Sequence, residues 1–135
     1  MLRSLLLVSV VLAAGAFQGS APAAPSYDAT FTLDQDGVVY SGLTTFAVDA
    51  KGAVTGKMAL TQPTEVNAAL GGVVKDGTWD IAYDYAIPAQ NCNGSLKGTA
   101  KVPNDMKVIS GKVTIGGGCT EQQMTATFSF TRREK

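Results

Sequence analysis

The stretch AALGGVVKDGTWDIAYDYAI, residues 68–87, decides the fold. In residues 78–87, large apolar side chains alternate with Thr, Asp and Ala, which is typical of a strand with one buried face. Asp76-Gly77 is a two-residue hairpin signal. A hairpin centred there pairs inward-facing positions throughout: Val74–Trp79, Gly72–Ile81, Leu70–Tyr83 and Ala68–Tyr85. The turn and the apolar alternation therefore predict the same antiparallel hairpin.

The same alternation continues in both directions along the chain. It is clear in YDATFTLD at residues 27–34 and in MTATFSFT at residues 124–131. No stretch of residues 24–135 has the 3.6-residue period of an amphipathic helix. Five further alternating runs complete a set of eight predicted strands, at about 38–48, 53–61, 67–75, 94–102 and 107–116.

Two further turns indicate how these strands pair. A hairpin on Asp36-Gly37 is predicted to place Leu33 opposite Tyr40, and the loop Ala50-Lys51-Gly52 places Val48 opposite Val54. Sequential hairpins predict an all-β, eight-stranded antiparallel up-and-down meander closed as a small barrel. An open β-sandwich of the same strands is the alternative. The barrel resembles the lipocalin and avidin barrels in architecture only, because no site residues of those families map onto this chain.

The positions of the two cysteines can be predicted from the pairing of a further hairpin. With the hairpin centred on Asp105 and Met106, Val102 meets Ile109, and outward extension of that pairing brings Cys92 opposite Cys119. Both then lie on the inward face, so we expect a disulfide that joins the start of one strand to the end of the next.

Five glycines fall on the apolar face in the middle of strands. Glycine weakens a strand, so its recurrence there needs a structural reason. Bends that close a small barrel are one interpretation, and space for a ligand inside is the other. These glycines are Gly42, Gly56, Gly72, Gly98 and Gly111.

The start of the chain has the layout of a secretory signal peptide. Arg3 precedes an apolar run from Leu5 to Ala14, and small residues follow. The run is shorter than the roughly 20 residues that a membrane-spanning helix needs. We predict a signal peptide over residues 1–23, with cleavage after Ala16 or Ala23, and a single domain over residues 24–135. The domain is expected to be periplasmic or extracellular.

Composition argues against most catalytic and metal chemistry. The chain has 11 basic and 11 acidic residues and no histidine, so Ser-His-Asp and Cys-His mechanisms are excluded. Two cysteines without histidine do not make a structural zinc site. No basic patch favours nucleic acid. We therefore expect no catalytic residues, no metal and no cofactor, and a protein that is not an enzyme.

One end of the predicted barrel is the candidate site. The longer connections, at about 61–66, 89–92 and 116–123, all fall at that end, and loops on a rigid scaffold often carry binding sites. Five inward aromatic residues are candidates for contact with a small apolar ligand: Tyr40, Trp79, Tyr83, Tyr85 and Phe128. The alternatives are a structural or protein-interaction domain with a filled core and, less favoured, an outer-membrane barrel. No protein partner is indicated.

Overall fold

The computed structural model describes residues 25–133. The signal peptide predicted over residues 1–23 lies outside this range. The regular secondary structure of the described chain is β-strand, apart from a short 3-10 helix, Pro88–Gln90. The strands are β1 (Ser26–Leu33), β2 (Val39–Thr45), β3 (Ala47–Val48), β4 (Val54–Thr55), β5 (Lys57–Gln62), β6 (Val66–Ala69), β7 (Gly72–Lys75), β8 (Thr78–Ile87), β9 (Cys92–Lys101), β10 (Val108–Gly117) and β11 (Met124–Arg132).

The strands close into a barrel. The strands of the ring pair antiparallel in chain order, except that β2 pairs with β5, since β3 and β4 form a separate two-stranded sheet. Strand β11 returns to pair with β1 along most of its length, from Tyr27 opposite Arg132 to Leu33 opposite Ala126. The ring is completed where β6 meets β8, through Ala68 opposite Tyr85. Eight strands form the ring, and β7 pairs with β8 as an additional strand. The predicted barrel is confirmed, and the open sandwich is wrong.

Most predicted registers are observed. Val74 lies opposite Trp79, Val48 opposite Val54, and Gly98 opposite Val113. Each of these registers was read from a turn and from the apolar alternation together, so both signals hold in these hairpins.

The first hairpin differs from its predicted register by two residues. Phe31, not Leu33, lies opposite Tyr40. The turn is wider than two residues, because the Leu33 N–H donates to the carbonyl of Val38 at 2.9 Å and the Asp36 side chain accepts the Val38 N–H at 3.0 Å. A shift of two leaves every side chain on its predicted face.

The inward glycines bring neighbouring strands close together. A Cβ added at Gly42, Gly98 or Gly111 would run into the backbone of the adjacent strand. Gly72 has φ +105°, a conformation that residues with a side chain rarely adopt. Strand β2 ends at Thr45 and β3 begins at Ala47, so the strand is interrupted at Phe46. These features support barrel bending as the role of the glycines, because the space beside them is filled by backbone.

Aromatic side chains fill the end of the barrel that holds the tight turn at residues 76–77. Trp79 packs edge-on against Phe46 with ring centroids 5.0 Å apart. The Trp79 indole donates to the carbonyl of Gly71 at 3.0 Å, and the Tyr27 hydroxyl donates to the carbonyl of Met106 at 2.8 Å. Both polar groups in this core are therefore satisfied, as buried polar groups must be. We call this half of the barrel the closed end.

Candidate ligand-binding site

The opposite end of the barrel contains an open cavity of about 290 Å³. We call this end the mouth. It carries the connections at residues 34–38, 63–65, 88–91 and 118–123, and three of them contribute lining residues: Asp36, Gln90, Cys119 and Thr120. The deeper walls are apolar, with side chains that include Phe31, Leu60, Val66, Ile87, Leu96 and Ile115.

The structure separates the five predicted ligand-contacting aromatics into two groups. Tyr40 and Tyr85 line the cavity. Trp79 and Phe128 are buried in the aromatic core, with Phe128 stacked on Phe31 at a centroid distance of 5.3 Å. Phe31 itself lines the cavity, so Phe128 lies directly behind the cavity wall.

Tyr83 also lies behind the wall. Its hydroxyl is 3.9 Å from the sulfur of Met58, a residue that lines the cavity. Contact between a ligand and any of the five aromatics remains a prediction, but the geometry makes Tyr40 and Tyr85 the two that a ligand could reach without displacing core side chains.

Sequence reasoning missed the aliphatic wall and the polar rim. Leu96 and Ile115 are cross-strand partners that face inward on β9 and β10. Thr120 and Gln90 lie in the connections, where alternation gives no information about direction. One sequence feature could have identified Leu96 and Ile115. Both lie a few residues along their strands from a long connection, which places them near the mouth.

Burial controls the ionisation of the inner phenols. Desolvation raises the pKa of Tyr83, because the phenolate loses its hydration in the apolar interior. Desolvation also raises the pKa of Tyr85, and the nearby phenol of Tyr40 raises it further. Both phenols therefore stay protonated at neutral pH and keep their O–H groups as potential hydrogen-bond donors.

The predicted disulfide joins two neighbouring segments of the mouth. Cys92 is bonded to Cys119, with their Cα atoms 5.2 Å apart. Cys92 begins β9, and Cys119 lies in the connection between β10 and β11, where it lines the cavity. The backbone N–H of Gly118 donates to the carbonyl of Asn93 at 2.8 Å beside the bridge. The predicted disulfide is confirmed, and it holds the longest mouth connection against its neighbour.

Residues 25–133 contain neither a metal-binding cluster nor a membrane-spanning helix. No three His, Cys, Asp or Glu side chains in this range come together in a way that could hold a metal ion. No helix in the same range is long and apolar enough to span a membrane.

No family model matches the chain, and no curated protein matches it. Among solved structures, it is similar in fold to the redesigned β-barrel mFAP1 bound to DFHBI, with 14% identity, a TM-score of 0.56, and coverage of 81% of this chain and 94% of that one. It is also similar to EF1p2_mFAP2b bound to DFHBI, with 12% identity, a TM-score of 0.58, and coverage of 82% and 93%. At these identities the likeness concerns the fold: this chain adopts the same kind of closed β-barrel.

Proposed function

We propose that this protein is an exported, non-enzymatic barrel that binds a small, mostly apolar ligand in the mouth cavity. The observation that carries the proposal is the cavity itself. Its volume of about 290 Å³ is just below the range of roughly 300–1,000 Å³ that is usual for ligand pockets, which suits a small ligand. Its walls are apolar and its few polar groups lie near the rim, which is the usual composition of such pockets.

The comparisons support a ligand inside a barrel of this kind. Both similar barrels are described as bound to DFHBI. Fold likeness does not transfer a ligand, so the identity of the natural ligand has to come from the chemistry of this cavity.

The absence of catalysis is part of the proposal and rests on the groups that line the cavity. Among the described lining residues, Asp36 is the one carboxylate, and the chain has no histidine. A single rim carboxylate offers no acid–base pair of the type that hydrolytic enzymes use. Export is supported by the disulfide, because such bonds persist mainly in oxidising compartments.

The two alternative functions are less consistent with the structure. A structural domain would have a filled core throughout. Here the closed end is filled, but the mouth contains a cavity. An outer-membrane barrel presents apolar residues outward, whereas the outward positions of β8 here include Asp80 and Asp84, both exposed. The outward face of β8 is therefore polar, unlike that of a lipid-facing strand.

A pair of matched substitutions tests the proposal with the apolar fluorescent probe N-phenyl-1-naphthylamine. Leu33→Trp adds bulk inside the cavity, and Leu43→Trp adds the same bulk on the outer wall, where Leu43 is 46% exposed. The wild type and Leu43→Trp should bind one equivalent of probe, and Leu33→Trp should bind at least about tenfold more weakly because it fills the site. Equal affinity of the two variants, or no binding by the wild type, would overturn the proposal.

Native mass spectrometry on protein from its natural source complements this test. A small molecule that is released when the protein is denatured would identify the natural ligand, and the same run would report signal-peptide cleavage. A mass equal to the free chain, together with a failed probe titration, would favour the structural alternative.

A further inference from the structure

We propose that the natural ligand is a neutral or cationic amphiphile whose polar head group hydrogen-bonds to Thr120 Oγ1 at the mouth, and that anionic amphiphiles are excluded. This inference rests on the proposed function and specifies the chemical class of ligand. It follows from a buried hydroxyl without a partner, from the charge of the mouth connections, and from the polar groups that line the cavity.

The hydroxyl of Thr120 is the first observation. Its Oγ1 atom is buried and has no hydrogen-bond partner within the described chain, and Thr120 lines the cavity. A buried, unpaired hydroxyl costs free energy, so native structures usually satisfy such groups. Rotation of the Thr120 side chain about its Cα–Cβ bond would present the hydroxyl to a head group in the cavity, where an alcohol, amine or amide can supply the partner.

The charge of the mouth is the second observation. The four mouth connections contain four acidic residues and no basic residue. The connections at the closed end, 49–53, 76–77 and 102–107, contain both signs of charge. An acidic rim repels anions that approach the cavity and attracts cations. The four acidic residues are Asp34, Asp36, Glu65 and Glu121.

Asp36 is the carboxylate that acts on the ligand. It lines the cavity, whereas Asp34 is paired with Lys112 at 3.7 Å and accepts a hydrogen bond from Thr125 at 2.7 Å. No Lys or Arg of the described residues lines the cavity. A carboxylate head group would therefore lose its hydration beside Asp36 without gaining a cationic partner, which is unfavourable.

The remaining polar groups do not compensate for that loss. The phenols of Tyr40 and Tyr85 line the cavity, and they can donate to or accept from a neutral head group. They carry no positive charge, so they give an anion at most a neutral hydrogen bond, which is weaker than a charge-assisted one.

Three probes with one alkyl chain and different head groups test the charge selectivity: octan-1-ol, octylammonium and octanoate. Each is titrated into the full domain at neutral pH and low salt, with calorimetry as the readout. Octanol and octylammonium should bind at least about tenfold more tightly than octanoate, and added salt should reduce the difference for the charged pair. Tightest binding by octanoate would overturn the inference, and so would equal binding by all three. In both cases the proposed function would still stand. If none of the three probes binds and the naphthylamine probe does not bind either, both this inference and the proposed function would be wrong.

Asp36→Asn tests the role of the rim carboxylate. Asparagine keeps the oxygen that accepts the Val38 N–H, so the turn is preserved. The variant should narrow the preference for octylammonium over octanoate by about fivefold. Asp49→Asn is the matched control, because Asp49 also accepts backbone N–H groups, from Lys51 and Ala53, but lies at the closed end. An equal change in both variants would contradict a specific role of Asp36.

Thr120→Val tests the head-group contact. Valine keeps the shape of the side chain and removes the hydroxyl. Octanol should bind roughly threefold to tenfold more weakly, the range for one lost hydrogen bond, whereas the naphthylamine probe should change less than about twofold. Unchanged octanol affinity would overturn the assignment of Thr120. Equal weakening of both probes would also overturn it, because it would indicate a change in cavity shape.

Discussion

The two ends of this barrel are built from the same alternating strands but differ in what lies inside. At the closed end, aromatic side chains such as Trp79, Tyr27 and Phe130 are fully buried, and β7 and β8 are joined by a two-residue turn. At the mouth, shorter aliphatic side chains such as Ile115 leave a cavity of about 290 Å³. The comparison indicates that stability is concentrated at one end and the candidate binding function at the other.

The largest expected effect comes from a matched pair on one strand. Ile109 is 0% exposed, whereas Ile115, on the same strand, is half-buried and lines the cavity. Ile109→Ala should reduce the free energy of unfolding by about 3–4 kcal/mol, because it leaves a cavity in a packed core. Ile115→Ala should cost about 1–2 kcal/mol, because its environment is already open. Urea denaturation measures both, and equal costs would contradict the division between the two ends.

Loss of the disulfide should have the next largest effect. The chain-entropy model gives about 3–4 kcal/mol for a loop of this length, where the two cysteines are 27 residues apart. The paired strands β9 and β10 already hold the cysteines near each other, so we expect about 2 kcal/mol for the double variant Cys92→Ala/Cys119→Ala. The same variant should weaken probe binding, since Cys119 lines the cavity. A stability loss larger than that of Ile109→Ala would mean that the mouth, rather than the closed end, dominates stability.

Two glycines on neighbouring strands offer a sharper comparison. A Cβ at Gly98 would meet the backbone of Lys112 and Val113, whereas one at Gly116, near the mouth, would meet nothing within 4 Å. Gly98→Ala should therefore destabilise the protein by about 1–3 kcal/mol. Gly116→Ala should be neutral or slightly stabilising, because alanine restricts the unfolded chain. Thermal unfolding of the two variants distinguishes these outcomes, and a neutral Gly98→Ala would show that the strands can separate there.

A smaller effect of opposite sign is expected at Thr120. Its buried hydroxyl has no partner within the described chain, so Thr120→Val should stabilise the ligand-free protein by about 1 kcal/mol. A stabilising change that also weakens octanol binding is the signature of a binding group maintained at a cost to stability. Destabilisation by this substitution would indicate that the hydroxyl is satisfied in the folded protein.

The pH dependence of stability should reflect the buried phenol of Tyr83. Burial raises its pKa above the ordinary value of 10.0, so the folded state favours the protonated form. Its contribution is fully present below pH 10 and is lost as the pH rises above that value, because only the unfolded chain then releases the proton readily. The free energy of unfolding should fall above pH 10, and Tyr83→Phe should reduce that fall. An identical alkaline profile in Tyr83→Phe would contradict this assignment.

Much of the fold was predictable because two independent signals agreed. The Asp76-Gly77 turn and the alternation around it both required Val74 opposite Trp79, and the observed register matches. The same agreement placed Cys92 near Cys119. The first hairpin shows the limit of this reasoning. Asp36-Gly37 suggested a two-residue turn, but the Asp36 side chain caps a wider one, and alternation alone cannot detect a shift of two residues.

The candidate site was less predictable, for a geometric reason. Alternation reports whether a side chain points inward, but not how deep it lies along the barrel axis. Trp79 and Tyr40 both point inward, yet the first is in the core and the second lines the cavity. Depth depends on strand tilt and stagger, which are properties of the closed barrel rather than of any one strand. Rim residues such as Thr120 lie in connections, where no periodicity applies.

The most direct test of the division between a closed end and a binding mouth is a nitrogen–proton NMR titration of the full domain with octan-1-ol. We expect chemical-shift changes confined to the mouth, at Leu96, Ile115 and Thr120, with the amides around Trp79 and Ile109 unchanged. Changes centred on the exposed outer wall at Val73 and Val108, away from the mouth, or an unchanged spectrum at saturating probe, would contradict this division.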